Sequence, residues 1–158
     1  MFLNKHKLGY LRNNIYLRIS VQQLENFKKI SHSIQMTRLS VGRFINSMLK
    51  NLKNIRENNK IEHKLKLYSG HDTSLIPLLV ALEQYPKSIG WPPFSSYIAF
   101  EVYTDDTSYF VKIVFNDQVV KLNCTDDGAE YCSLNEFVGK MEKYTLKEEE
   151  YKSLCDVC

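Results

Sequence analysis

The sequence predicts a mixed α/β fold in which residues 1–158 form a single unit. Three observations support this prediction. Apolar residues recur at helical spacing between residues 39 and 55, three strand-like runs lie between residues 96 and 122, and two helix-start signals follow them. No internal repeat or Gly/Ser-rich linker divides the chain, so these elements are expected to belong together.

A long amphipathic helix is the best-defined element of the N-terminal half. Its apolar residues recur mostly at steps of three and four, as expected for one buried helix face. The polar run at residues 58–60 ends the pattern, and a less regular apolar pattern in residues 15–35 predicts a further helix from about Val21. The residues of the main stripe are Leu39, Val41, Phe44, Ile45, Met48, Leu49, Leu52 and Ile55.

A short strand and a second helix are predicted next. Within residues 65–70, two leucines alternate with lysines and the run ends at a glycine, which is typical of a strand followed by a turn. Thr73 or Ser74 can then cap a helix that continues to residue 85. Pro77 falls in the first turn of that helix, where its missing N–H costs little.

The C-terminal half predicts a meander of three strands. Residues 96–104, 108–115 and 118–122 are rich in β-branched and aromatic residues. Asp105-Asp106 and Asn116-Asp117 supply the turns between them, since Asp and Asn side chains favour turn geometry.

Two capping boxes indicate short helices near the end of the chain. Ser133-Leu-Asn-Glu136 and Thr145-Leu-Lys-Glu148 each place a hydroxyl residue three positions before a glutamate. In that arrangement each side chain accepts a hydrogen bond from the other residue's backbone N–H group, which starts a helix.

Charge is distributed unevenly along the chain. Residues 1–67 carry 14 Lys and Arg against 3 Asp and Glu, whereas residues 68–158 carry 7 against 15. A basic half can be a nucleic-acid-binding arm, but these charges lie on helical polar faces without interleaved aromatic residues. We therefore expect no nucleic-acid partner, and interpret the asymmetry as complementarity between two halves or with an acidic segment outside the chain.

The segment Gly70-His71-Asp72 contains the candidate catalytic residues. It places an imidazole and a carboxylate side by side where a strand is predicted to end and a helix to begin. Backbone N–H groups and the helix dipole favour anions there, phosphate above all. His71 could donate a hydrogen bond to a phosphate oxygen and Asp72 could protonate a leaving alkoxide. The alternative is that Asp72 only caps the helix and His71 lies on a loop.

Three ordered motifs carry a family resemblance. Residues 68–73 (Tyr-Ser-Gly-His-Asp-Thr), 92–94 (Pro-Pro-Phe) and 100–103 (Phe-Glu-Val-Tyr) resemble the carboxyl-terminal part of histidine acid phosphatases. This group contains the prostatic, lysosomal and lysophosphatidic acid enzymes of the histidine phosphatase superfamily. The resemblance is strongest over residues 37–158. It implies a phosphoglycerate-mutase-like fold, of which this chain is the C-terminal part.

The resemblance also implies an activity and a site. The family hydrolyses phosphomonoesters, including lipid phosphates, through a phosphohistidine intermediate and without a metal or other cofactor. By resemblance, His71 contacts the transferring phosphate and Asp72 is the proton donor. The strand before His71 then belongs to a central, mostly parallel sheet that the meander extends. A homodimer and a secreted or lysosomal location are further implications.

The chain departs from the family at the nucleophile. The family's nucleophilic histidine lies in an Arg-His-Gly motif, and no such motif occurs in this sequence. We interpret His6, His32 and His63 as surface residues on basic segments, and we find no counterpart of the family's phosphate-clamping arginines. Because one missing member of a catalytic unit removes most of the rate, the chain is expected to be inactive alone, as a fragment or a truncated paralogue.

Four cysteines lie in the last 35 residues, which favours an oxidising compartment. A zinc site or a redox pair is one interpretation of Cys124, Cys132, Cys155 and Cys158, but the spacings favour structural disulfides. The resemblance suggests a Cys124–Cys132 bridge and a bond from Cys155 or Cys158 to a part of the enzyme outside this chain. Asn123 begins a glycosylation sequon.

The sequence shows no signal peptide and no apolar run of the roughly 18 residues that a membrane span needs. Two other classes of function stay open at this stage. One is a non-catalytic phosphate- or anion-binding paralogue that retains the site at His71. The other is a basic nucleic-acid-binding module built on residues 1–67.

Overall fold

The computed structural model describes residues 33–58, 63–85, 89–105, 107–124 and 130–155. These ranges contain four helices and a four-stranded antiparallel sheet, which confirms the α/β class. The predicted helix from Val21 lies outside them. The elements are α1 (Ile34–Asn58), α2 (Asp72–Ala81), β1 (Ile98–Thr104), β2 (Tyr109–Phe115), β3 (Gln118–Val119), β4 (Cys132–Ser133), α3 (Leu134–Glu142) and α4 (Glu148–Cys155).

Helix α1 confirms the amphipathic prediction. It ends at Asn58, where the polar run begins, and its apolar stripe packs into the core. Ile45 is fully buried, because helical spacing places it at the centre of that stripe. The other buried members of the stripe are Val41, Met48, Leu49 and Leu52.

The polar face of α1 pairs with acidic residues from the C-terminal part of the chain. These ion pairs are largely exposed, so each contributes at most about 1 kcal/mol to stability. They nevertheless show that basic residues of the N-terminal half pair with acidic residues of the C-terminal half. The pairs are Arg38–Glu150, Arg43–Glu148 (3.2 Å) and Lys53–Glu142 (2.6 Å).

The predicted meander forms the sheet. Strands β1 and β2 pair along their whole length, from Ile98↔Phe115 to Thr104↔Tyr109, and β3 and β4 both pair with β2. Alternate residues of β2 are buried against the helices, and the others lie on the more exposed face. Asn116 and Asp117 have φ of 48° and 63°, as a two-residue hairpin turn of the matching twist requires. The short strand β4 was not predicted.

The prediction of a strand at residues 65–70 was wrong. All residues from 63 to 70 are exposed and none is in a strand. Leu65 and Leu67 remain 72% and 84% exposed. A strand needs a hydrogen-bonded neighbour, and no described residue pairs with this segment. For the same reason the expected parallel sheet is absent from the described residues, where every strand pair is antiparallel.

Helix α2 begins two residues earlier than predicted. His71, not Thr73 or Ser74, is the residue before the first turn, and its carbonyl accepts from the backbone N–H of Ser74 at 2.9 Å. Pro77 therefore lies in the second turn, where it removes a helix hydrogen bond. The helix ends at residue 81, not 85, because Glu83 adopts a left-handed φ of 61° that a continuing helix excludes.

One of the two predicted capping boxes is present in part. The Ser133 hydroxyl accepts from the backbone N–H of Glu136 at 3.3 Å and starts α3. The second box is absent, although the short helix that it predicted is present as α4. This helix begins at Glu148, and the Thr145 hydroxyl donates to the Glu142 carbonyl at 2.8 Å. The tight turn after α3 engages Thr145 before α4 begins.

Gly42 allows α1 to touch the chain after α3 backbone to backbone. A Cβ at Gly42 would lie 2.7 Å from the Tyr144 carbonyl oxygen and 2.8 Å from Leu146 Cβ. The Gly42→Ala substitution is expected to lower the free energy of unfolding by about 1–3 kcal/mol, since the backbones must move apart. Urea denaturation followed by circular dichroism measures this.

A second glycine provides the control. Gly139 lies on the exposed face of α3, and a Cβ there meets nothing within 4 Å. Gly139→Ala should therefore raise the free energy of unfolding by about 0.5–1 kcal/mol through helix propensity alone. Equal effects of the two substitutions would contradict the close approach at Gly42.

Candidate active site

The segment that leads to His71 runs along α1. The Lys66 ammonium donates to Asn51 Oδ1 at 2.9 Å, and the ring of Tyr68 meets Phe44 edge-on with centroids 5.0 Å apart. The side chains of Lys66 and Tyr68 thus contact the helix, while Leu65 and Leu67 stay exposed. The side chains do alternate between two sides of the segment, as in a strand. No described residue buries the two leucines on the apolar side.

His71 is the residue before the first turn of α2. Its backbone is extended (φ −116°, ψ 172°) and its backbone N–H donates to Ser74 Oγ at 3.5 Å. The residue is exposed, so its side chain is accessible to a ligand in solution. An imidazole at this position lies beside the positive end of the helix dipole, which suits a group that contacts an anion.

Asp72 is the first residue of α2 and is half-buried. Both of its carboxylate oxygens accept hydrogen bonds. Oδ1 accepts from the backbone N–H of Thr73 at 2.7 Å, and Oδ2 accepts from the indole N–H of Trp91 at 3.2 Å. The carboxylate is therefore held in one orientation by two N–H donors.

The remainder of α2 anchors this site to the core. Every residue from Ile76 to Ala81 is buried, and Leu79 is fully so. The polar first turn at the surface and the apolar remainder inside together orient the helix with its N-terminus outward. The site is thus a fixed helix terminus at which His71 and Asp72 are consecutive residues.

Trp91 is the contact that sequence reasoning missed. Residues 90–93 (Gly-Trp-Pro-Pro) lie outside any helix or strand. This segment brings the indole to Asp72, 19 residues earlier in the chain. No spacing rule links the two positions, and the one sequence signal is that Trp91 is the single tryptophan of the chain.

The cysteines form a structural bridge. Cys124 and Cys132 are disulfide-bonded and buried, as the resemblance suggested. A carboxylate oxygen of Glu136 lies within 4.8 Å of both sulfurs, but sulfurs bonded to each other are not thiolate ligands for a metal. Cys155 is exposed and unbridged, and Cys158 lies outside the described residues. Asn123 is exposed, as a glycosylation site must be.

The exposed face of the sheet holds a polar group of its own. The Tyr103 hydroxyl donates to Glu101 at 2.8 Å, and this hydrogen bond raises the pKa of Tyr103 above its ordinary value. Lys112 pairs with Glu130 at 3.1 Å, which raises the pKa of the lysine. Glu101 is therefore engaged in a local contact, and we assign it no catalytic role.

Comparison with known proteins identifies the protein family. The sequence profile of the histidine phosphatase superfamily (branch 2) matches residues 10–116, and the chain belongs to this family. Human lysophosphatidic acid phosphatase type 6 is 33% identical over 135 residues, which cover 81% of this chain and 29% of that enzyme. A probable acid phosphatase of Dictyostelium discoideum is 29% identical over 147 residues, or 80% of this chain and 31% of the relative. Rat prostatic acid phosphatase is 33% identical over 84 residues.

The chain corresponds to only a part of these relatives. It matches 21% to 32% of their lengths. Residues 37–103, which contain the motifs of the resemblance, fall inside the matched family region. No helix among the described residues is both long and apolar enough to cross a bilayer.

Proposed function

We propose that this chain supplies the phosphate-contacting and proton-donating residues of an acid phosphatase that hydrolyses phosphomonoesters. One observation carries the proposal: an accessible histidine and an oriented carboxylate lie together at the N-terminus of a helix whose other end is buried. A helix N-terminus favours the charge of a phosphate group. Membership of the histidine phosphatase superfamily supports phosphate chemistry at this site.

The proposed reaction has two steps. In the first, a histidine nitrogen attacks phosphorus, the bond to the ester oxygen breaks, and the Asp72 proton passes to that oxygen to release an alcohol. In the second, water attacks the phosphohistidine, its proton passes to the Asp72 carboxylate, and inorganic phosphate leaves. His71 donates a hydrogen bond to the phosphoryl oxygens, where negative charge must be stabilised in both steps.

Acidic solution suits this reaction, because the first step needs a protonated acid and a bound phosphate dianion opposes ionisation of a nearby carboxyl. Two N–H donors hold the Asp72 carboxyl in one orientation for the proton transfer.

The proposed nucleophile must come from outside this chain. The sequence contains no Arg-His-Gly, and His63 lies on the exposed segment before the site without the flanking residues of that motif. The exposed apolar side of residues 65–67 is consistent with a further layer of the domain adding there. The disulfide fits an oxidising compartment, so we include a secreted or lysosomal location in the proposal.

The isolated chain is expected to hydrolyse p-nitrophenyl phosphate at pH 5 no faster than buffer, because it has no nucleophile. It is expected to bind inorganic phosphate or vanadate through His71, which isothermal titration calorimetry measures. A hydrogen bond to a charged group contributes about 1.5–3 kcal/mol, so His71→Ala should weaken phosphate binding about tenfold or more.

His63→Ala is the matched control and should leave the affinity unchanged, since His63 is an exposed histidine on the same segment. Turnover by the chain that disappears in Asp72→Ala would overturn the expected inactivity. Equal phosphate affinities of the His71→Ala variant and the unaltered chain would rule out His71 as the anion contact.

A phosphate-binding protein without turnover is the second candidate, and the accessibility of His71 favours it over the nucleic-acid module. Phosphate binding by the whole natural gene product without any hydrolysis would identify it. Against the nucleic-acid module, four of the five basic residues on α1 are already paired with glutamates: Arg38, Arg43, Lys53 and Arg56. DNA affinity that falls steeply with added salt would support that module instead.

A further inference from the structure

Trp91 lies on a loop and makes a hydrogen bond to the candidate active site, but it has no role in the reaction proposed above. Its indole N–H donates to Asp72 Oδ2 at 3.2 Å, although the two residues lie in different elements. The Trp91 ring is half-buried and packs against the hydrophobic core. The neighbouring Pro92 is buried as well, so the loop that carries the indole is fixed to the body of the protein.

We propose that Trp91 is the positioning residue of Asp72: its indole N–H fixes the acid oxygen and stabilises the carboxylate after the proton has left. This inference rests on the proposed function, in which Asp72 donates the proton. It extends that function to a residue that does not itself touch the reacting atoms.

The chemistry of the donors supports this role. An indole N–H donates a hydrogen bond and never accepts one, and the backbone N–H of Thr73 on the other oxygen is equally restricted. Neither partner can therefore take the proton of Asp72. The proton of Asp72 must leave to another group, such as a bound ligand or water, and not to either of these donors.

Both N–H donors also stabilise the negative charge of the ionised Asp72 carboxylate. Hydrogen bonds to an ionised acceptor are stronger than those to its neutral form. The bond from Trp91 to Asp72 should thus tighten as the proton leaves, at the moment when negative charge appears on the carboxylate. A tryptophan that only filled space in the loop would gain nothing when Asp72 ionises.

The single tryptophan makes the test direct, since the chain gives one indole cross-peak in a ¹H–¹⁵N correlation spectrum. In the unaltered chain, the indole proton resonance is expected to move upfield in a one-proton transition as acid neutralises Asp72. In Asp72→Asn the resonance should be independent of pH. Glu101→Gln, which removes a carboxylate from the sheet face, should leave the transition in place.

A second variant separates positioning from packing. Trp91→Phe keeps an aromatic ring and removes the N–H donor. The carboxyl ¹³C resonance of Asp72, measured at pH 7, should then move, because the ionised carboxylate has lost a hydrogen bond.

Two kinds of result would overturn the proposal. An indole resonance that does not titrate, or that still titrates in Asp72→Asn, overturns the proposal. A folded Trp91→Phe variant whose Asp72 carboxyl resonance at pH 7 is unchanged overturns it too. None of these spectra requires phosphate binding or turnover, so a failure of the proposed phosphatase function would appear separately, in the calorimetry and the assay.

Discussion

Replacing Phe137 by alanine is expected to lower the free energy of unfolding by about 3–5 kcal/mol. Phe137 is fully buried in α3, and its ring lies 6.0 Å from that of Phe100 on the core side of β1. The substitution removes apolar contacts and leaves a cavity between the helix and the sheet. Since domains are typically stable by about 5–15 kcal/mol, this loss would leave much of the chain near its unfolding midpoint. Urea denaturation followed by circular dichroism measures the change.

Phe94→Ala is the matched control for that experiment. Phe94 is completely exposed, with a relative accessibility of 103%, so the same chemical deletion should change the free energy of unfolding by less than about 0.5 kcal/mol. A loss below about 1 kcal/mol at Phe137 would contradict the placement of α3 against the sheet.

Removing the disulfide is expected to have the second-largest effect. The bond joins Cys124 to Cys132 across a sequence separation of 8 and links β4 to the segment after β3. Replacing both cysteines by alanine should lower the free energy of unfolding by about 2–4 kcal/mol, chiefly because the unfolded chain regains freedom. The measurement is urea denaturation of the oxidised protein without reductant.

Cys155→Ala provides the control for the disulfide. Cys155 is exposed and unbridged, so its replacement should leave stability within about 0.5 kcal/mol of the unaltered chain. A larger loss at Cys155 than at the Cys124–Cys132 pair would mean that the bond stabilising the protein is a different one.

The elements that local pattern specifies were predicted well. Helix α1 has a complete apolar stripe and a polar stop at Asn58, so its own sequence determines both its face and its end. The β1–β2 pair and the turn at Asn116-Asp117 were also predicted, because strands joined by a short turn pair with each other. Ser133 could be read as a cap because its partner lies only three residues away.

The predictions that were wrong concern segments whose structure the local sequence pattern alone does not determine. Residues 65–70 have the alternation of a strand, but a strand exists only when another strand hydrogen-bonds to it, and the described residues provide none. The start of α2 was misplaced because the Asp72 side chain takes the backbone N–H of Thr73, a role that residue types do not distinguish from that of a neighbouring Thr or Ser cap.

The candidate site shows the same division. The sequence by itself determined that His71 and Asp72 stand side by side at a helix start, and its motifs determined the family. Only the tertiary structure decided that Trp91 reaches Asp72 and that the segment before His71 lies open. The physical reason is range: turns, caps and helix faces follow from residues within a few positions. A contact across 19 residues depends instead on how the core packs.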